Sequence, residues 1–183
     1  KGATARAEAS PLTVAGPPGV QYVFTGWSSN ASGTTSPSNP ITMDDRKTAI
    51  ANWKIQYYLA VATDPSSLPP IPGTDWYDNC TWVRTAAPQY VPDEAGLNGV
   101  RYRFGYWDVD GTPQGIGVNP INIHMNASHT ATAHYVLQYL VTFNQTGLDG
   151  TAIGTVVTVD FQAKTYGDLP FSEWVDNGTL VSF

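Results

Sequence analysis

The amino-acid sequence predicts an all-β fold of tandem, immunoglobulin-like β-sandwich units. Three observations point there. Residues that line helix surfaces are scarce, with three Glu and four Lys in 183 residues, whereas Thr, Val, Tyr and Trp, which suit a pleated half-buried surface, are plentiful. Apolar residues alternate along short runs and nowhere recur at i, i+3, i+4, i+7. The 17 Gly and 14 Pro exceed the average usage of about 12% and punctuate those runs at short intervals.

Taken in order, residues 20–27 (Val-Gln-Tyr-Val-Phe-Thr-Gly-Trp) predict a strand ending in a bulky anchor. Residues 48–53 alternate, and 55–62 follow at once as a mostly apolar run. Further strands are predicted at 81–87, 100–107, 120–125, 130–143, 151–162 and 178–183. Turn clusters separate them at Pro17-Pro18-Gly19, at 36–40 and at 69–73. Asp110-Gly111, Asp149-Gly150 and Asn177-Gly178 suit tight turns because these residues tolerate positive φ.

The strongest signal is internal repetition. Gly19-Val-Gln-Tyr-Val-Phe-Thr-Gly-Trp27 matches Gly99-Val-Arg-Tyr-Arg-Phe-Gly-Tyr-Trp107 at an offset of 80, which persists from Asn39-Pro40-Ile41 to Asn119-Pro120-Ile121. At an offset of 82, Thr48-Ala-Ile-Ala-Asn-Trp53 matches Thr130-Ala-Thr-Ala-His-Tyr135, and Gln56-Tyr57 matches Gln138-Tyr139. A third block pairs Trp76-Tyr-Asp-Asn-Cys-Thr81 with Trp174-Val-Asp-Asn-Gly-Thr179 at an offset of 98. Recurring aromatic positions read as core anchors and recurring Asn-Pro and Asp-Asn positions as turns.

The phase of the repeat divides the chain. Residues 1–60 form a first unit lacking its amino-terminal half, 61–140 a complete second unit, and 141–183 the start of a third. The interval from Trp76 to Trp107 is 31 residues, and joining the tail after Trp174 to the head before Trp27 gives a similar length. The end of one segment is therefore expected to complete the beginning of another. This is a tandem array or strand addition between molecules, and the latter builds an open head-to-tail filament. The expected donors are Lys1–Val14 or Gly178–Phe183.

The succession Tyr-x-Phe-x-x-Trp, Asn-Pro-Ile and Thr-Ala-x-Ala-x-Trp resembles the divergent internalin-type B-repeat of bacterial and archaeal surface proteins. Residues 141–183, with Val-Thr-Phe-Asn-Gln-Thr-Gly-Leu-Asp-Gly-Thr-Ala, Lys164-Thr-Tyr-Gly-Asp-Leu-Pro-Phe-Ser172 and Trp174-Val-Asp176, resemble repeats of large secreted archaeal surface proteins. The resemblance implies an extracellular, structural or adhesive role without catalytic residues. It also implies an alternative fold, β-grasp-like repeats containing a helix.

Composition narrows the function classes. A net charge of −6 with nine Lys plus Arg argues against nucleic acid or an anionic membrane as partner. No run approaches the ~18 apolar residues of a membrane-spanning helix. One cysteine, Cys80, excludes an internal disulfide and a multi-cysteine zinc site. It aligns with Gly178, which marks a turn tip. Residues 1–10 lack an apolar signal-peptide core, so a leader has been removed or the chain is an excerpt of a longer one.

Five of the ten asparagines, Asn30, Asn79, Asn126, Asn144 and Asn177, begin N-x-S/T sequons, above chance placement, and most fall at predicted turns. They are the expected sites of covalent N-glycans. Asp108-Val-Asp110-Gly111 opens like a calcium loop, but position 12 is Asn119 rather than Glu, so a polar turn is expected. Asp44-Asp45-Arg46-Lys47 reads as a solvated tip. His124, His129 and His134, spaced by five, alternate faces on a strand, so no metal site is expected. No nucleophile elbow, zincin motif, P-loop or dinucleotide fingerprint is present. The scattered Glu8, Glu94 and Glu173 make a glycosidase pair improbable. The expectation is a non-enzymatic extracellular structural protein without cofactors. Its partner is itself, through strand exchange in a glycosylated filament or layer. The rivals are a carbohydrate-binding adhesin module and a spacer domain of a secreted enzyme.

Overall fold

The computed structural model describes residues 2–92 and 98–183; Lys1 and Glu94 lie outside them. The first segment contains β1 (Ala3–Ala5), β2 (Thr13–Ala15), β3 (Val20–Ser29), β4 (Ile41–Met43) and β5 (Ala49–Asp64). The second contains β6 (Asp75–Asp78), β7 (Trp82–Thr85), β8 (Tyr90–Pro92), β9 (Val100–Val109), β10 (Thr112–Ile116), β11 (Ile121–His124) and β12 (His129–Phe143). The last contains β13 (Val157–Val159), β14 (Gln162–Lys164), a 3-10 turn (Tyr166–Asp168) and β15 (Phe171–Asp176).

The protein is all-β and layered as a sandwich. The long strands form one nine-stranded sheet in the order β10-β9-β12-β5-β3-β2, with β8 beside β9, β6 beside β5 and β15 beside β12. Two-stranded sheets, β1–β4 and β7–β11, complete the architecture of the two repeats. The core lies between layers: Val83, Ile121 and Ile123 of β7–β11 face Leu59, Phe104, Trp107, Ala131 and Ala133 of the main sheet. The β-grasp alternative is not realised, because the helical content of the described residues is the single 3-10 turn.

The repeat is visible in register. β1 pairs β4 with Ala5 opposite Ile41, and β7 pairs β11 with Thr85 opposite Ile121. β3 pairs the first half of β5, and β9 pairs the first half of β12, both antiparallel. Each of these long pairs has a one-residue bulge in the same place, at Thr25 and at Gly105. The bulge explains the motif Phe-x-x-Trp. Side chains three apart on a regular strand point to opposite faces; an extra residue between them returns both to one face. Phe104 and Trp107 are accordingly 2% and 0% exposed. Each unit builds the same aromatic trio. Phe24 meets Trp27 and Trp53 with centroids 5.3 and 5.6 Å apart, and Phe104 meets Trp107 and Tyr135 at 6.1 and 5.8 Å.

The recurring Asn-Pro corner clamps the connection that crosses the core. Asn119 Oδ1 accepts from Ala87 N at 3.0 Å, its Nδ2 donates to Ala87 O at 2.7 Å, and Trp107 Nε1 donates to the same Oδ1 at 3.3 Å. In the first unit Ser38 performs the equivalent clamp on Ala7, accepting from its N at 3.0 Å and donating its own N–H to Ala7 O at 2.8 Å.

Several boundaries differ from expectation. Residues 48–53 and 55–62 belong to the single strand β5, since Lys54 continues the extended chain. The run 151–162 yields β13 (Val157–Val159) and, at Gln162, the first residue of its hairpin partner β14. Residues 178–183 form no strand: Ser182 is tied to Asp160, next to β13, with Asp160 N donating to Ser182 O and Ser182 N to Asp160 Oδ1, both at 2.9 Å, but no ladder extends from that contact. Asp110 and Gly111, at φ 52° and 79°, make the tight β9–β10 turn.

Replacing Phe104 with Ala removes a ring from both neighbours of its trio and is expected to cost about 3–5 kcal/mol. Trp82→Ala, at a side chain 70% exposed, is expected to stay within about 0.5 kcal/mol of wild type. Denaturant melts of the two variants check both values.

Candidate functional site

All five sequon asparagines are exposed. Asn30, Asn79, Asn144 and Asn177 each directly follow the end of a strand, β3, β6, β12 and β15, and Asn126 follows β11 by two residues. Their carbonyl oxygens are tethered at four sites. Asn30 Oδ1 accepts from Thr48 N at 2.9 Å, Asn144 Oδ1 from Gln145 N at 2.9 Å, and Asn79 Oδ1 from the Cys80 thiol at 3.3 Å. Asn126 Oδ1 lies 3.2 Å from His129 Nε2. Among the described residues no hydrogen bond engages the Nδ2 of any of the five, which is the atom a glycan would occupy. Cys80 sits at φ 66° and its counterpart Gly178 at 82°, so the aligned turns share one backbone conformation.

The second feature is a polar junction built twice. Where one repeat hands the chain to the next, the Asp of the Trp-x-Asp-Asn block meets the Gln of the Gln-Tyr block. Gln56 Nε2 donates to Asp78 Oδ1 at 2.8 Å, and Gln138 Nε2 donates to Asp176 Oδ1 at 2.7 Å. A cation closes each pair: Lys54 Nζ lies 2.9 Å from Asp78 Oδ2, and Arg103 Nη2 lies 2.7 Å from Asp176 Oδ2. The Gln carbonyl oxygens then accept from Gln21 Nε2 and from Arg101 Nε, both at 2.8 Å. The Arg101 guanidinium is held between the rings of Tyr90 and Trp174 at 3.9 and 4.0 Å. Lys54, then Gln56, holds the Asp78 carboxyl below the ordinary carboxylate range, and Arg103, then Gln138, does the same for Asp176.

The remaining polar candidates lie apart. His129 bridges Asp110 (Nδ1 to Oδ2, 2.6 Å) and the carbonyl of His124. Burial pushes the Asp110 carboxyl up, but hydrogen bonds from His129 and Thr130 outweigh it and hold the group low. His134 stacks on Tyr106 and reaches Asp64 at 2.8 Å, while His124 lies under Trp82 with centroids 4.8 Å apart. Asp108 Oδ1 accepts from Gly111 N at 2.7 Å, an ordinary turn contact. Asp44 pairs with Lys47. Glu8 and Glu173 sit in separate segments.

Of the expected strand donors, the amino-terminal one is occupied within its own chain: Ala3–Ala5 pairs Ile41–Met43, and Thr13–Ala15 pairs Gln21–Val23. The carboxy-terminal one is in no ladder among the described residues; Ser182 exchanges two hydrogen bonds of 2.9 Å with Asp160, and the Phe183 ring lies 5.6 Å from that of Phe143. Leu180 and Phe183 are 94% and 87% exposed, although the matching residues of β7 are paired with β11.

Comparison with known proteins agrees with these repeats. Residues 1–56 match the model of the divergent InlB B-repeat domain. Domains of that kind belong typically to surface or extracellular proteins. No curated protein and no solved structure matches the chain.

The polar junction carries a pH signature. A carboxyl whose folded pKa is depressed binds fewer protons than its unfolded form, whose value is about 3.9. Stability from Asp78 and Asp176 is therefore fully present well above that value and is lost as pH falls through the folded values. Thermal melts from about pH 6 down to pH 2 are expected to show a shallower acid loss in Asp176→Asn than in wild type, and a shallower one still with Asp78→Asn added.

Proposed function

We propose that this chain is a non-enzymatic structural protein of the cell surface that assembles head to tail by strand complementation into an N-glycosylated filament or layer. The carrying observation is the state of residues 180–183. They correspond to β7, yet among the described residues they join no ladder: the two Ser182–Asp160 hydrogen bonds and the Phe183 ring beside Phe143 hold them, while Leu180 and Phe183 stay exposed. Aligned on β7–β11, Val181 takes the place opposite Met43 and Phe183 the place opposite Ile41 in the β4 of another copy. The current occupant of that place, β1, is three exposed residues long and so is readily exchanged. Complementation of this type supplies both main-chain bonds and an apolar side chain to the receiving layer. The five exposed asparagines after strand ends support the glycoprotein part of the reading. Glycans there would shield neighbouring strand edges from wrong pairing.

Sedimentation velocity of the full chain tests this. Wild type is expected to form a concentration-dependent series of oligomers. A Leu180→Asp, Phe183→Asp double variant is expected to sediment as a monomer. Monomeric wild type at all concentrations overturns the proposal. Intact mass of native material before and after enzymatic deglycosylation checks the glycan part.

One observation favours a second reading, a carbohydrate-binding module. Trp82 is 70% exposed, is absent from the matching positions Gly2 and Leu180, and is held rigid by His124. A rigid exposed indole suits stacking on a sugar face. Saturable quenching of tryptophan fluorescence by oligosaccharide, lost in Trp82→Ala, would support this reading; no quenching by any glycan tried would reject it.

A further inference from the structure

The main sheet joins the two repeats in a way that can be read as a template. β5 is 16 residues long and serves both units. One of its edges carries β3 along Ala49–Tyr57 and then β12 along Leu59–Asp64. The opposite edge carries β6 at Gln56–Leu59. β12 repeats the plan. One edge carries β9 along Ala131–Tyr139; the other carries β5 at His129–His134 and then β15 at Gln138–Phe143. The internal junction is thus the distal half of one long strand lying parallel to the proximal half of the next.

Each half of that junction recurs without its partner. The start of β5 and the two residues before it (residues 47–52) correspond to residues 129–134 of β12. Among the described residues no strand lies on their free edge, opposite β3. Exposure differs at the matching positions: Ala131 and Ala133 are 0% exposed, whereas Ala49, which corresponds to Ala131, is exposed and Ala51, which corresponds to Ala133, is half-buried. The end of β12 (residues 141–143) together with the three residues that follow it, 144–146, corresponds to residues 59–64 of β5. Its edge opposite β15 carries no described strand beyond the Leu140 N to Gly99 O bond, which duplicates the Tyr58 N to Gly19 O bond of the first unit.

We infer that these two edges are complementary, and that residues 141–146 of one copy lie parallel to residues 47–52 of a second copy. The internal pairs set the register. Leu59 opposite His129 and Val61 opposite Ala131 become Val141 opposite Lys47 and Phe143 opposite Ala49. The occupant is a second copy of this chain, because its distal strand presents the matching free edge in the matching direction. Asn144 takes the place of Ala62, which is exposed in the internal junction, so a glycan there would project away from the interface. The contact is heterologous and does not close, so it propagates as a filament. It deepens the assembly proposed above and rests on it, supplying the sheet-to-sheet contact that strand exchange at residues 180–183 would accompany.

The test places cysteines at Thr48 and Thr142, opposite one another in this register, in a Cys80→Ser background. Facing Cα atoms in adjacent strands lie within the ~4.4–6.8 Å span of a disulfide. Mild oxidation of the full chain is expected to give a reducible ladder of covalent multimers. A Thr142→Cys, Lys54→Cys chain, six positions out of register, is expected to give none. Ala49→Lys puts a charge where the partner strand would bury it; it is exposed in the single chain, so folding is kept, and the ladder is expected to vanish with it. Oligomers that form without the 48–142 link and persist with Ala49→Lys overturn the edge pairing and leave strand complementation standing. A chain that is monomeric by sedimentation throughout overturns both.

Discussion

The structure depends on one pairing, the parallel ladder between the distal half of β5 and the proximal half of β12. Two sandwiches joined by a flexible linker would each end in an edge strand. Here the distal half of β5 lies against the proximal half of β12, so the backbone groups of those two edges are satisfied by each other. A parallel ladder requires a long crossover between its strands. Residues 65–128 supply it, and they carry the β7–β11 layer of the second unit and the β9–β10 hairpin on the way. The architecture of the second unit is therefore what the crossover does while the sheet waits for its next strand.

Around that ladder the repeats conserve contacts rather than residues. The pair Gln56–Asp78 and the pair Gln138–Asp176 are alike in geometry, yet one is closed by a lysine two residues upstream and the other by an arginine from β9. Arg103 adds a fork-shaped donor, and the neighbouring Arg101 is stacked between two rings, so the second junction is held by more than point charge. The Asn119 clamp on Ala87 and the Ser38 clamp on Ala7 solve one problem with side chains of different length. Each satisfies backbone groups that a connection across an apolar core would otherwise strand.

A net charge of −6 spread over Asp-rich turns disfavours nonspecific stacking. The open edge of β5 is bracketed by Lys47 and Lys54, the kind of residue that discourages casual strand addition.

By itself the sequence determined the class of fold, the period and the anchors. Alternation without helical periodicity, turn pairs such as Asp110-Gly111, and the offset of 80 between Phe24 and Phe104 are local or self-comparative signals, and local chemistry is enough to read them. The five sequons and their exposure at turns were legible for the same reason, since Asn and Gly punctuate strands. What only the tertiary structure decided is which strand lies beside which. The fusion of 48–53 with 55–62 into a strand shared by two units, the parallel direction of β5 on β12, the pairing of residues 3–5 with 41–43 and the lack of any ladder for residues 178–183 all depend on partners distant in the chain. A strand's hydrogen bonds belong to its neighbour, and sequence pattern specifies a face to bury but not the edge that will be met.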